Sequence, residues 1–169
     1  ASEITLENVS VPKENLLGEE GKALNTVSEV IDLATLAISA EAVGIMQKMN
    51  ELTLDYTKTR EQFGQALSKF QALQHRMVDT FMVHEQTKSL LLMAAAKMND
   101  KAADTSKSIS ALKYQIGSAA KLIGEESIQL HGGMGVTEEM SIGHYFKRLT
   151  TIRTIFGNSD YHLKRYSSL

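Results

Sequence analysis

Three glycines fall within four residues in His131-Gly132-Gly133-Met134-Gly135-Val136. Such a run stops a helix and leaves main-chain N–H groups free to face an anion. Glycine habits alone equally describe a helix C-cap followed by a tight turn. No strand precedes the run, so it is not a dinucleotide-binding fingerprint. Arg60 and Phe63 form a second candidate pair, a cation and an aromatic three residues apart just before Gly64. Together they are able to clamp a phosphate and cover a ring, while a solvated surface charge is the plainer reading of Arg60. Glu41 borders an apolar helical stripe. It suits either a helix-pairing partner or a desolvated base facing a crevice.

The remaining polar constellations carry less. None of His75, His84, His131, His144 and His162 pairs with another at helical i, i+3 or i, i+4 spacing, so no metal site is expected. Ser159-Asp160-Tyr161-His162 holds triad residue types, but sequence neighbours rarely reach triad geometry, and polar side chains at the surface are expected. The chain has no cysteine, which excludes disulfides and thiolate chemistry and suits a cytoplasmic protein. A net charge of −2 supplies no basic field for nucleic acid or anionic membrane. No apolar run reaches membrane length.

These groups must be positioned by helices. Ile31, Ala34, Ile38, Ala42, Ile45, Met49, Leu52 and Tyr56 recur at three- and four-residue spacing, predicting a first helix from about residue 25 to 58. A second runs from about 68 to 98, with Phe70, Leu73, Met77 and Phe81 on one face. A third, from about 106 to 130, carries Ile109, Leu112, Ile116, Ala119 and Ile123, with Gly117 and Ala119-Ala120 permitting close approach. Shorter patterns span residues 141–149 and 160–166. Long helices, short loops and one proline in 169 residues predict an all-α antiparallel bundle. The first stretch differs. Ile4 to Val11 alternates apolar and polar residues with a slip at Asn8, and Pro12 ends it, predicting one strand, bulged at the slip. A lone strand has an open edge, so this short N-terminal arm is expected to belong to a sheet outside the chain.

Taken together, these stretches resemble the C-terminal helical domain of the acyl-CoA dehydrogenase family, closest to bacterial pimeloyl- and steroid-type subunits. Val11-Pro12-Lys13-Glu14-Asn15-Leu16-Leu17-Gly18 is similar to the end of that family's middle β-domain. Residues 1–22 are accordingly expected to be its remnant and linker, and 23–169 the helical domain. Ala40-Glu41-Ala42-Val43-Gly44, Arg60-Glu61-Gln62-Phe63-Gly64, Phe70-Gln71 and Gln129-Leu130-His131-Gly132-Gly133-Met134-Gly135 resemble the family's motifs in the family's order.

The resemblance implies FAD-dependent α,β-dehydrogenation of an acyl-CoA thioester, as in fatty acid metabolism, with electrons passing to an electron-transfer flavoprotein. It implies that Arg60, Phe63 and Gln71 reach the FAD of a neighbouring subunit. Gln129, Gly132 and Gly133 would line its adenosine and phosphate side, with Asn158 and Asp160 at polar cofactor contacts. A homo- or hetero-oligomer, dimer or tetramer, follows, and the isolated chain is expected to be inactive. Two departures matter. Phe156 stands where most members carry the catalytic glutamate, and Ala34 where others carry it. The chain is therefore the non-catalytic subunit of a heteromer, or uses an unfamiliar base, for which Glu41 is the weak candidate, or is a flavin-less structural bundle. Outside the family, a generic helical interaction module remains.

Overall fold

The computed structural model describes residues 2–169. Five helices carry it: α1 (Ala23–Thr59), α2 (Gln71–Asn99), α3 (Thr105–His131), α4 (Ser141–Ile152) and α5 (Ser159–Ser168). α1 spans 37 residues, about 55 Å at 1.5 Å per residue. Asp32 of α1 meets Ser106 at the start of α3, and Tyr56 meets His131 at its end, so α1 and α3 run parallel. α2 returns between them. Lys113 reaches Ile152 and Arg165 reaches Ser110, so α4 and α5 together form one broken leg antiparallel to α3. The result is an up-down-up-down bundle.

α3 sits at the centre because its apolar residues surround it. Ile109, Leu112, Ile116, Ala119 and Ile123 are all fully buried, as the periodicity predicts. A Cβ at Gly117 would lie 1.9 Å from Ser159 Oγ, and one at Gly124 would lie 2.9 Å from the Phe146 ring. Only glycine lets α5 and α4 come this close.

The buried stripes of α1 and α2 match the predicted ones only in part, with Ala42 and Met49 buried as expected. On α1, Asp32, Thr35, Ser39 and Thr53 are buried alongside Ala42, Met46 and Met49, while Ile31 is 43% exposed. Thr35, Ser39 and Thr53 donate their hydroxyls to the carbonyl four residues back, each at 2.7 Å. That local satisfaction lets polar residues occupy the core face. On α2, Thr80, His84, Thr87 and Ala94 are buried, whereas the predicted core residue Phe81 is exposed.

Between α1 and α2 the chain makes a hairpin unforeseen from sequence, β1 (Glu61–Gln62) and β2 (Gln65–Ala66), paired antiparallel. Its central residues, Phe63 (φ 55°) and Gly64 (φ 79°), are both left-handed, as a type I′ turn requires. The N-terminal arm corrects another expectation. No strand forms over Ile4–Val11, because an isolated segment has no ladder partner. Asn8, at the slip in alternation, does adopt a left-handed φ of 52°.

Candidate functional site

The C-terminal end of α1 and the C-terminal end of α3 meet through two residues. The rings of Tyr56 and His131 stack with centroids 4.4 Å apart, and the Tyr56 hydroxyl donates to the His131 carbonyl at 3.3 Å. Buried His131 donates Nδ1–H to the Ser127 carbonyl at 2.7 Å. Desolvation lowers its pKa, which keeps the ring neutral. The structure thereby brings Arg60 and Phe63 to the same end of the bundle as Gln129, Gly132 and Gly133. Gln71 begins α2 at this end. Arg76, one turn further, pairs with Glu126 of α3 at 2.5 Å.

Arg60 terminates α1. Its backbone is extended, with φ −78° and ψ 122°, and its side chain is exposed. Phe63 is 92% exposed and packs edge-on to Phe70 at 6.2 Å. A bulky residue in the left-handed region is strained, and such strain clusters at ligand clamps. Gly132 ends α3 at φ 60°, and nothing lies within 4 Å of a Cβ built at Gly132 or Gly133. The glycine run does both things its composition allows. It caps α3, and it leaves open backbone on the surface.

Asn158 and Asp160 lie elsewhere. Asn158 caps α5, accepting from the Tyr161 N–H at 2.9 Å, and Asp160 occupies the first turn, where a carboxylate complements the helix dipole. The neighbouring Ser159 packs on Gly117, fourteen residues before His131 on α3, about 21 Å along the helix. The eight predicted cofactor residues therefore form two separate groups on one chain.

Phe156 belongs to the second group. It is 42% exposed at a left-handed φ of 57°, beside Gly157 at φ 104°. Behind it lie two buried residues that the motif reading missed. Lys113, 1% exposed, donates Nζ to the carbonyls of Ile152 (3.0 Å), Arg153 (3.4 Å) and Gly157 (3.0 Å). Burial lowers its pKa to about 8. A lysine inside the Ile109–Ile116 stripe was the legible signal. His162 was expected at the surface, yet it lies on the inward face of α5 with Nε2 2.9 Å from the Phe156 carbonyl.

Glu41 is a helix-pairing residue. Its carboxylate makes a bidentate pair with Arg148 of α4, at 2.6 and 2.8 Å. Hydrogen bonding from Arg148 lowers its pKa, opposite to the shift of a desolvated base, so this geometry does not support a catalytic role. Thr35 is buried in the core, and Asp32 forms a bidentate ion pair with Arg165 at 2.6 and 2.8 Å. A groove of about 770 Å³ lies between α1 and α2 and includes Leu54, Met77, Phe81 and His84, but none of the predicted cofactor residues. Among the described residues no cluster of His, Asp and Glu is arranged to hold a metal ion. No helix there is long and apolar enough to cross a membrane.

The family model for the acyl-CoA dehydrogenase C-terminal domain matches residues 22–167. The chain belongs to the acyl-CoA dehydrogenase family. The mitochondrial short-chain specific acyl-CoA dehydrogenase of Rattus norvegicus is 32% identical, over 88% of this chain and 36% of its own length. The caffeyl-CoA reductase-Etf complex subunit CarC of Acetobacterium woodii is 30% identical, over 94% of this chain and 42% of its own. The structure of butyryl-CoA dehydrogenase from Megasphaera elsdenii superposes with a TM-score of 0.89 at 28% identity, covering 94% of this chain and 41% of that one. The chain thus spans about two fifths of the length of these acyl-CoA dehydrogenase relatives.

Proposed function

We propose that this bundle is the C-terminal part of an FAD-dependent acyl-CoA dehydrogenase that removes hydrogens from adjacent carbons of an acyl-CoA thioester. One observation carries the reading. An exposed arginine, an exposed and strained phenylalanine and an open glycine turn share one bundle end, where none of them completes a site alone. That set fits FAD. Arg60 matches a pyrophosphate, Phe63 covers a flat ring, and the Gly132–Gly133 backbone accepts close approach. Gln71 and Gln129 add amide donors and acceptors. When bound, FAD supplies the oxidant for this chemistry.

The two residue groups are about 21 Å apart along α3, which favours contacts to two flavins, or to one flavin shared between subunits. Residues 1–22 then link the bundle to a β-domain, and residues 23–169 form the oligomer core. The relative CarC, named as a subunit of a caffeyl-CoA reductase-Etf complex, supports an electron-transfer flavoprotein as the redox partner. The absence of cysteine suits the cytoplasm.

Phe156 holds the family's usual base position without a proton acceptor, so a partner subunit supplies the carboxylate that takes the substrate proton. The decisive experiment is co-expression of the gene product with its genomic neighbours, followed by intact mass and absorbance spectroscopy. A homologous subunit co-purifying with less than one FAD per chain is expected. One FAD per chain in a homo-oligomer bleached by acyl-CoA would place the base on this chain instead. A colourless protein in every preparation would overturn the flavin reading and leave a structural bundle.

A further inference from the structure

Two buried side chains, one from α3 and one from α5, hold four carbonyls at the α4–α5 connection, those of Ile152, Arg153, Phe156 and Gly157. Lys113 takes the carbonyls of Ile152 and Arg153 at the end of α4, and that of Gly157 four residues on. An ammonium has three donors and no acceptor, and here all three are used. The Ile152 and Arg153 carbonyls belong to the negative end of α4, where a cation is favoured.

His162 holds the Phe156 carbonyl through Nε2. A carbonyl only accepts, so Nε2 carries the proton, while Nδ1 is buried without a partner. Desolvation lowers the pKa of His162 and holds it in this neutral form. With their carbonyls drawn inward, Phe156 and Gly157 take left-handed φ values. A Cβ at Gly157 would lie 2.4 Å from the Tyr161 ring and 3.0 Å from His162 Nε2. A side chain at residue 157 would clash there, and the Phe156 side chain faces outward, 42% exposed.

We propose that Lys113 and His162 are positioning residues, an interior latch that fixes the place of residue 156 and of the Asn158–Asp160 helix start against the cofactor and substrate. The latch itself is a property of this chain. Its consequence for flavin rests on the function proposed above. Both act through the backbone of residues 152–157, whose carbonyls they hold.

Hydrogen exchange read by mass spectrometry on the 169-residue chain tests the latch without flavin. Lys113→Met and His162→Leu are expected to speed exchange across residues 153–161 by about tenfold, with α3 amides unchanged. His162→Gln, whose amide N–H can still donate to the Phe156 carbonyl, is expected to keep the protection. Unchanged loop exchange, equal acceleration through every helix, or failure of His162→Gln to protect better than His162→Leu would each overturn the latch. In the flavin-loaded oligomer, His162→Leu is expected to weaken FAD retention about tenfold and His162→Gln to restore it. A loosened loop with unaltered FAD retention would overturn the positioning role. A wild-type oligomer without flavin would overturn the function proposed above, and the exchange result would still decide the latch.

Discussion

Tyr56 and His131, 75 residues apart, stack at 4.4 Å and share a hydrogen bond, joining the two helix ends that carry the recognisable motifs. Without this contact, the Arg60–Gly64 turn and the Gly132–Gly135 turn would be independent helix termini. Tyr56→Phe keeps the stack and loses one hydrogen bond, at an expected cost of about 1 kcal/mol in urea denaturation. Tyr56→Ala also loses the ring and is expected to cost about 2–4 kcal/mol. The same variant should lower FAD retention in the oligomer.

Phe63 should separate stability from function. Its left-handed φ and 92% exposure mean that the ring contributes little to the isolated bundle while its backbone is strained. Phe63→Gly is expected to stabilise the hairpin end or leave it unchanged, by about 0–1 kcal/mol in thermal denaturation. In the assembled protein it should weaken FAD retention. Destabilisation of the chain without a flavin effect would contradict the assignment.

Glu41→Gln tests whether the exposed carboxylate does chemistry. The Arg148 pair keeps its folded pKa low, so its contribution to stability is present above the unfolded carboxylate pKa. That contribution is lost as pH falls through the lower folded value. Both partners are about half exposed, so the effect should be small. Turnover of the assembled enzyme should be unchanged across its pH profile, and a selective loss of turnover would return Glu41 to the active site.

Lys113 gives an alkaline signature. Its folded pKa of about 8 lies below the ordinary lysine value of 10.5, so between these values the unfolded chain binds more protons than the folded one. Stability contributed by this group therefore rises with pH across that window, and falls again as pH drops through 8. Wild type minus Lys113→Met, in denaturant titrations from pH 7 to 10.5, should gain about 1–3 kcal/mol with rising pH. A flat difference would show that the carbonyl cage offsets burial.

The exposed apolar surface predicts self-association. Leu24, Val27, Ile31 and Leu33 on α1, with Val78, Phe81 and Met82 on α2, all face solvent in the isolated chain. Such surfaces mark interfaces in oligomers. Light scattering behind size exclusion should report a dimer or larger, and Phe81→Glu should shift it toward monomer.

The order and approximate limits of all five helices were legible because apolar residues at 3.6-residue spacing and glycine or polar breaks are local signals. So were the α3 core, where every predicted residue is buried, and the glycine turn. The hairpin at Phe63 was not, because a phenylalanine in a type I′ turn violates turn preferences. The buried faces of α1 and α2 were legible only in part, since Ala42 and Met49 are buried as predicted but Thr35, Ser39, Thr80 and Thr87 share those faces. Their threonines and serines look polar in sequence, and only the helix lets each hydroxyl reach its own preceding turn.

The sequence by itself determined a helical chain bearing acyl-CoA dehydrogenase motifs, and the resemblance proposes Phe156 for the usual base position. Tertiary structure decided which distant groups meet. It pairs Glu41 with Arg148 and Asp32 with Arg165, stacks Tyr56 on His131, and sets Lys113 and His162 behind Phe156. These partners lie on different helices, far apart in the chain. Local spacing specifies a helix face, but the rotation of one helix against another follows from packing the whole bundle.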